Sequence, residues 1–207
     1  MSKVDDKKEK KRKDLVDAAF ELFSEKGMVN TSISDIADKA GVAKGTFYLY
    51  FNDKYDIANL LIYQKTGNIF SNAIKALEKV KILTLEDEMI FIADNIINQL
   101  SNDPTLVNYF SKAIDWGRFK EAVDSKRDSG EFDFLKAYND FFRRYAEYNI
   151  KDPEIMWFLI LEFIVSSCYS PIRCNQPYSL EEIKPHIYKV VRLIVKSHLV
   201  EDADNLI

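Results

Sequence analysis

Apolar residues recur at three- and four-residue spacing along most of the chain and strict alternation is scarce, a pattern that predicts an all-α protein of about nine helices. Leu15, Ala19, Leu22 and Phe23 form the stripe of a first helix about three turns long or slightly more, with Lys26 in its last turn and Gly27 as its stop. Ser32 then has the residue type and place of an N-cap, and Asp35 three residues on completes a capping-box variant. The short helix that follows turns Ile36, Ala37 and Ala40 inward. Gly41 stands where a helix must end in the left-handed region, Val42 can fill the corner, and a third helix begins at Ala43 or Lys44. On it Phe47 and Phe51 share a packing face, while Lys44 and Tyr48, also four apart, share another.

Asn52 and Asp53 supply a break and a cap, and a long proline-free helix is expected from Asp53 toward Glu78. Further helices are predicted at 85–101, 104–113, 114–131, 132–149, 153–169 and 180–199. In Asp103-Pro104 and Asp152-Pro153 a capping residue stands directly before proline, which marks two of these starts. The expected division is a three-helix domain at 1–52 and a larger helical domain at 53–207.

Charge changes the picture once it is divided along the chain. The net value of −4 suits a nucleic-acid binder poorly, yet residues 1–54 carry 11 basic and 10 acidic side chains against 18 and 23 in the remainder. The acidity therefore belongs to the second domain. Lys7, Lys8, Lys10, Lys11, Arg12 and Lys13 fall almost together, and such a run either meets phosphate or forms a solvated, frayed leader. The two cysteines, Cys168 and Cys174, lie in no metal-ligand spacing, so neither a metal nor a cofactor is expected and a reducing, cytoplasmic setting is the simplest reading. No apolar stretch follows the lysines within signal-peptide distance, and the apolar run 155–165 is interrupted by Glu162. No membrane span is expected, since one needs about 20 residues.

The segment from Thr31 to Lys54, TSISDIADKAGVAKGTFYLYFNDK, resembles the helix-turn-helix of TetR-family transcriptional regulators. It has a Thr/Ser pair, Ile-Ala, Ala-Gly-Val, Lys-Gly-Thr, Tyr-x-Tyr-Phe and a final Lys at matching intervals. The resemblance implies a DNA-binding domain whose third helix enters the major groove with Lys44, Thr46 and Tyr48 facing the bases and phosphates, and with Gly45 admitting the backbone closely. Thr31, Ser32 and Lys54 are expected to clamp phosphate, and Tyr50 either contacts DNA or packs in the core. One departure is Ala43, where the family commonly has a capping serine; its absence costs ~1 kcal/mol of local capping.

In the second domain 16 aromatic residues lie between positions 85 and 170. The resemblance implies a small-molecule effector, and Phe91, Tyr109, Phe110, Trp116, Phe119, Phe134, Phe141, Phe142, Tyr145 and Trp157 are candidates to line an apolar pocket for it. The predicted helices at 153–169 and 180–199 carry more apolar surface than one subunit can cover. By family precedent they form a homodimer interface through Leu159, Phe163, Ile183, Ile187, Val190, Val191 and Ile194. A two-fold dimer matches a palindromic operator, from which the effector would release a repressor.

Two other functional classes fit the sequence less well. An enzyme needs a nucleophile with its base, paired carboxylates or metal ligands, and with two histidines no such set is legible. A protein-interaction module that kept the helix-turn-helix shape without DNA binding would lack the polar groups at 44, 46, 48 and 54, all of which are present.

Overall fold

A computed structural model describes residues 3–113, 143, 145 and 148–200. Among these residues there are eight α-helices: α1 (Lys3–Lys26), α2 (Ile33–Lys39), α3 (Lys44–Phe47), α4 (Lys54–Leu77), α5 (Leu85–Asn102), α6 (Pro104–Ala113), α7 (Pro153–Cys174) and α8 (Leu180–His198). The only other pairing among them is an isolated bridge between Ile150 and Leu199. Nearly all of the helices expected at 114–131 and 132–149 lies outside the described residues.

Two compact units emerge. The described part of the first is 3–66 with 108–113; that of the second is 67–107, 143, 145 and 148–200. The first half of α4 thus groups with the helix-turn-helix that was expected to close at residue 52.

In the first unit, Leu15, Ala19 and Phe23 of α1, Ile36 and Ala37 of α2, and Phe47 are fully buried around one small core. Phe51 joins it through its ring contact with Phe47, and Ile57 and Leu61 of α4 are buried as well. The termini follow the expected chemistry. Gly27 at φ +80° closes α1 and Gly41 at φ +67° closes the turn after α2, both in the left-handed region that costs other residues about 1–2 kcal/mol. Asp53 caps α4 by accepting from the amides of Tyr55 and Asp56.

Helix α1, at 24 residues, is well beyond the expected three turns or slightly more. It starts at Lys3, so the lysine-rich leader is helical. Asp5 and Asp6 in its first turn complement the positive end of the helix dipole, and Asp6–Lys10 and Glu9–Lys13 have the favourable acid-before-base spacing of four.

In the second unit, α5, α7 and α8 pack on one another through Met89, Ile92, Ile96 and Ile97, through Met156, Ile160 and Ile164, and through Ile187, Val191 and Val195. Polar ties cross between α5 and α8, where Lys184 pairs with Asp94 at 2.8 Å and Arg192 with Asp87 at 2.7 Å. Ser179 and Glu182 form a capping box on α8. Asp103 accepts from the Thr105 amide and so starts α6 as expected. Asp152 does not act as the expected cap: it sits at φ +48°, and its side chain makes no bond to the helix it precedes.

Helix α7 also exceeds its predicted end at 169. At 22 residues it is long and apolar enough to cross a membrane by length and composition alone, which the interrupted run 155–165 concealed. Within this unit its apolar character has a use, because Met156, Trp157, Ile160, Ile164, Cys168 and Pro171 are buried. Cys168 is a free buried thiol, pushed up to about 11 chiefly by burial, and Cys174 is free and exposed.

Candidate nucleic-acid interface

The turn between α2 and α3 is built so that one edge of the first unit is left open. Ser32 accepts from the Asp35 amide while the Asp35 carboxylate accepts from the Ser32 amide, so two otherwise orphaned donors are satisfied. The same carboxylate accepts from the Lys26 ammonium at 2.8 Å, fastening α2 to the end of α1. This ammonium, with the backbone and hydroxyl of Ser32, holds the Asp35 carboxyl down to about 2. A second pair, Lys39 with Glu21 at 2.7 Å, fixes the other end of α2 to α1.

Helix α3 is only four residues long, but hydrogen-bonded turns prolong it. The amides of Leu49 and Tyr50 donate three residues back, to Thr46 and Phe47, and that of Phe51 donates four back, to Phe47. Phe47 and Phe51 face the core with ring centroids 5.6 Å apart, and Tyr48 stands edge-on to Phe47 at 5.7 Å. The opposite edge presents Lys44, Gly45 and Tyr48 to solvent, with Thr46 and Tyr50 half-buried beside them. Tyr48 is 53 % exposed and the adjoining Leu49 75 %. Ala43 occupies the N-cap of α3 with no side-chain bond to its amides, as its residue type implied.

Gly45 is the informative position. Its backbone is in no region that requires glycine, and no heavy atom lies within 4 Å of where a Cβ would stand. Among the described residues nothing accounts for the missing side chain.

Two expected phosphate clamps prove to be internal. Thr31 is 1 % exposed and its hydroxyl donates to the Gly27 carbonyl at 2.8 Å. Lys54 places its ammonium among the carbonyls of Met28, Val29 and Thr31 at 3.0, 3.2 and 3.1 Å, which uses all three of its donors. Both residues shape the loop between α1 and α2. Ser32 remains exposed, with its hydroxyl engaged in the capping box. Leu49, not singled out in the sequence, is exposed as well; its place between two core phenylalanines and next to Tyr48 is the signal that it turns outward.

The other predicted sites divide between the units. Tyr109 and Phe110 belong to the first, where the Tyr109 ring lies 5.3 Å from that of Phe20 and its hydroxyl donates to the Ala58 carbonyl; burial pushes the phenol well above its ordinary range. Phe91, Tyr145 and Trp157 belong to the second. Phe91 is half-buried, Tyr145 donates to Glu88, and Trp157 meets Phe70 edge-on at 5.5 Å. Trp116, Phe119, Phe134, Phe141 and Phe142 lie outside the described residues.

The apolar stripe of α8 also divides. Ile187 and Val191 are closed inside their own unit, whereas Ile183, Val190 and Ile194 are half-buried. On α7, Leu159 is 40 % exposed and Phe163 half-buried; Ile155 and Phe158 there and Leu193 on α8 are exposed too. Among the described residues no group of histidine, cysteine and carboxylate side chains could hold a metal ion.

Residues 15–61 match the family described as bacterial regulatory proteins, tetR family. The chain is 47 % identical over 60 residues to the uncharacterized HTH-type transcriptional regulator YvdT of Bacillus subtilis, a match covering 29 % of each protein. It is 32 % identical over 92 residues to the fatty acid metabolism regulator protein of the same organism, covering 44 % of this chain and 46 % of the relative. Both matches thus span less than half of the relatives' length. The crystal structure of FadR from Bacillus subtilis in complex with stearoyl-CoA has the same fold, with a TM-score of 0.61 at 22 % identity over 88 % of this chain and 96 % of that one.

Proposed function

Because this chain belongs, through residues 15–61, to the tetR family of bacterial regulatory proteins, we propose that it is a cytoplasmic DNA-binding transcriptional repressor. The observation that carries this reading is the edge of α3, where unpaired Lys44 and exposed Tyr48 flank a glycine that no packing among the described residues demands. That edge offers a major groove what it needs: a cation for phosphate or guanine acceptors, a phenol that donates to phosphate, and a backbone stripped of its side chain for close approach. Thr46 adds a hydroxyl and a methyl for base edges. Ser32 lies at the adjacent end of α2.

The repressor acts as a two-fold dimer formed by α7 and α8 of each subunit on a palindromic operator. The exposed Leu159 and Leu193, with half-buried Phe163, Ile183, Val190 and Ile194, support that interface because they leave apolar surface that a second copy would cover. A small, largely apolar effector releases the DNA. Since FadR is seen with stearoyl-CoA, a long-chain acyl thioester is the first effector to try.

The test is a gel-shift titration against DNA flanking the protein's own gene, with unrelated DNA as competitor and stearoyl-CoA added in a second series. Saturable binding to one near-palindromic site is expected. Lys44→Ala with Tyr48→Ala should abolish it without changing melting temperature or oligomeric state; unchanged affinity in that variant would refute the placement of the surface.

A further inference from the structure

We propose that the N-terminal extension of α1 is a second DNA-contacting element, in which Lys7, Lys8 and Lys11 hold the phosphates of duplex DNA beside the α3 site. The inference rests on the DNA-binding reading above and adds to it a surface outside residues 15–61, the part matched to the family.

Register within α1 carries the step. Successive residues advance by about 100° around a helix. From Leu15 onward, the side of α1 turned to the helix-turn-helix core carries Leu15, Ala18, Ala19 and Phe23, all buried, and half-buried Leu22. One and two turns earlier the same side carries Lys7, Lys8, Lys11 and Arg12, within an arc of about 140°. Asp5 marks its margin. Lys10 and Lys13 fall on the opposite side among Asp6, Asp14 and Asp17, where their charge is offset. The packing stripe of the helix thus changes from apolar to cationic at residue 12.

That change occurs where α1 meets the end of the α3 segment. The Arg12 guanidinium lies over the ring of Phe51, 5.8 Å from its centroid, and Phe51 closes the turns that prolong α3. Lys7 is five residues earlier, or about 7.5 Å farther along the axis. Lys7, Lys8 and Lys11 are exposed, and no ion pair to a described residue holds them, whereas Lys26, Lys39 and Lys54 are all spent on internal partners. A helix extension that is exposed from Asp5 to Lys11, continues the inner face of α1 and carries unpaired cations there fits a polyanion passing the Phe51 end of α3.

The experiment measures affinity of the full chain for a 40-base-pair duplex of random sequence by fluorescence anisotropy between 50 and 200 mM salt. Each phosphate contact contributes about 0.9 to the slope of log K against log salt, or about 3.5-fold over that range. Lys7→Gln/Lys8→Gln/Lys11→Gln should flatten the slope by two to three, a loss of about 40-fold in salt response, at unchanged melting temperature. Lys10→Gln/Lys13→Gln should flatten it by less than one. Equal slopes for the triple variant and the wild type would overturn the inference, as would a loss in the second variant equal per charge, which would mean bulk charge alone. A wild-type protein that binds no duplex at all would overturn the DNA-binding reading and this inference with it.

Discussion

Replacing Gly45 by alanine should stabilise the protein and weaken its grip on DNA, two effects of opposite sign from one methyl group. Gly45 is the second residue of α3, its φ is not positive, and a Cβ there has open space on every side. Glycine within a helix is about 0.5–1 kcal/mol worse than alanine, and at a position so near the start the lower figure applies. For a chain of this size 0.5 kcal/mol raises the melting temperature by about 1–2 °C, readable by circular dichroism. The same methyl would stand on the exposed edge between Lys44 and Tyr48, where contact with DNA leaves no room for it. A tenfold or larger loss of operator affinity is expected, about 1.4 kcal/mol or more, measured by anisotropy at fixed salt. Operator affinity equal to wild type in a variant that melts at or above the wild-type temperature would show that α3 does not approach DNA through this backbone, and the interface would have to be placed elsewhere.

Thr31→Val removes a buried hydroxyl bond to the Gly27 carbonyl and should cost about 1 kcal/mol in urea unfolding, while operator affinity per folded molecule stays the same; a selective loss of affinity would restore Thr31 as a phosphate contact. Lys54→Met leaves three carbonyls without their shared cation and should cost about 2 kcal/mol, with the slope of affinity against salt unchanged. Asp35 is held at about 2 against an ordinary 3.8, so its contribution is fully present above about pH 4 and fades as pH falls toward 2. Melting curves across that range should show an acid loss that Asp35→Asn lacks; identical acid profiles would remove Asp35 from the account.

Short-range rules made the helix-turn-helix legible. Gly27, Ser32, Asp35, Gly41 and Asp53 each make their capping or turn contact within four residues of themselves, and all five hold the structural places their types imply. Phe47 and Phe51 packed inward for the same reason. The misses were long-range. Lys54 turns back 23 to 26 residues to reach its carbonyls, and no local pattern distinguishes that lysine from one waiting for phosphate. Thr31 was misread because a hydroxyl beside a cap looks like a contact until its burial is known. In the second unit a helix stripe reports only that a face is covered: Ile187 and Val191 are covered by their own subunit, and Ile183, Val190 and Ile194 only in part.

The placement of cations in the first unit explains why net charge was a poor guide. Lys26 and Lys39 tie α2 to α1, and Lys54 ties α4 to the loop between them, so three of its basic residues are consumed in holding the unit together. Their positive charge is met within the unit and offers little field to a distant polyanion. Among the described basic residues, Lys44 on α3 and the lysines on the inner face of the α1 extension are the exposed positions that the proposed DNA contact uses. Affinity should therefore follow those few exposed positions more closely than the total charge. Adding a lysine at a remote surface site of the acidic second unit should shift the isoelectric point without steepening the salt dependence, whereas neutralising Lys44 alone should flatten it by about 0.9. A remote lysine that steepened the slope as much as Lys44 contributes would show that the whole surface field, and not a placed contact, governs binding.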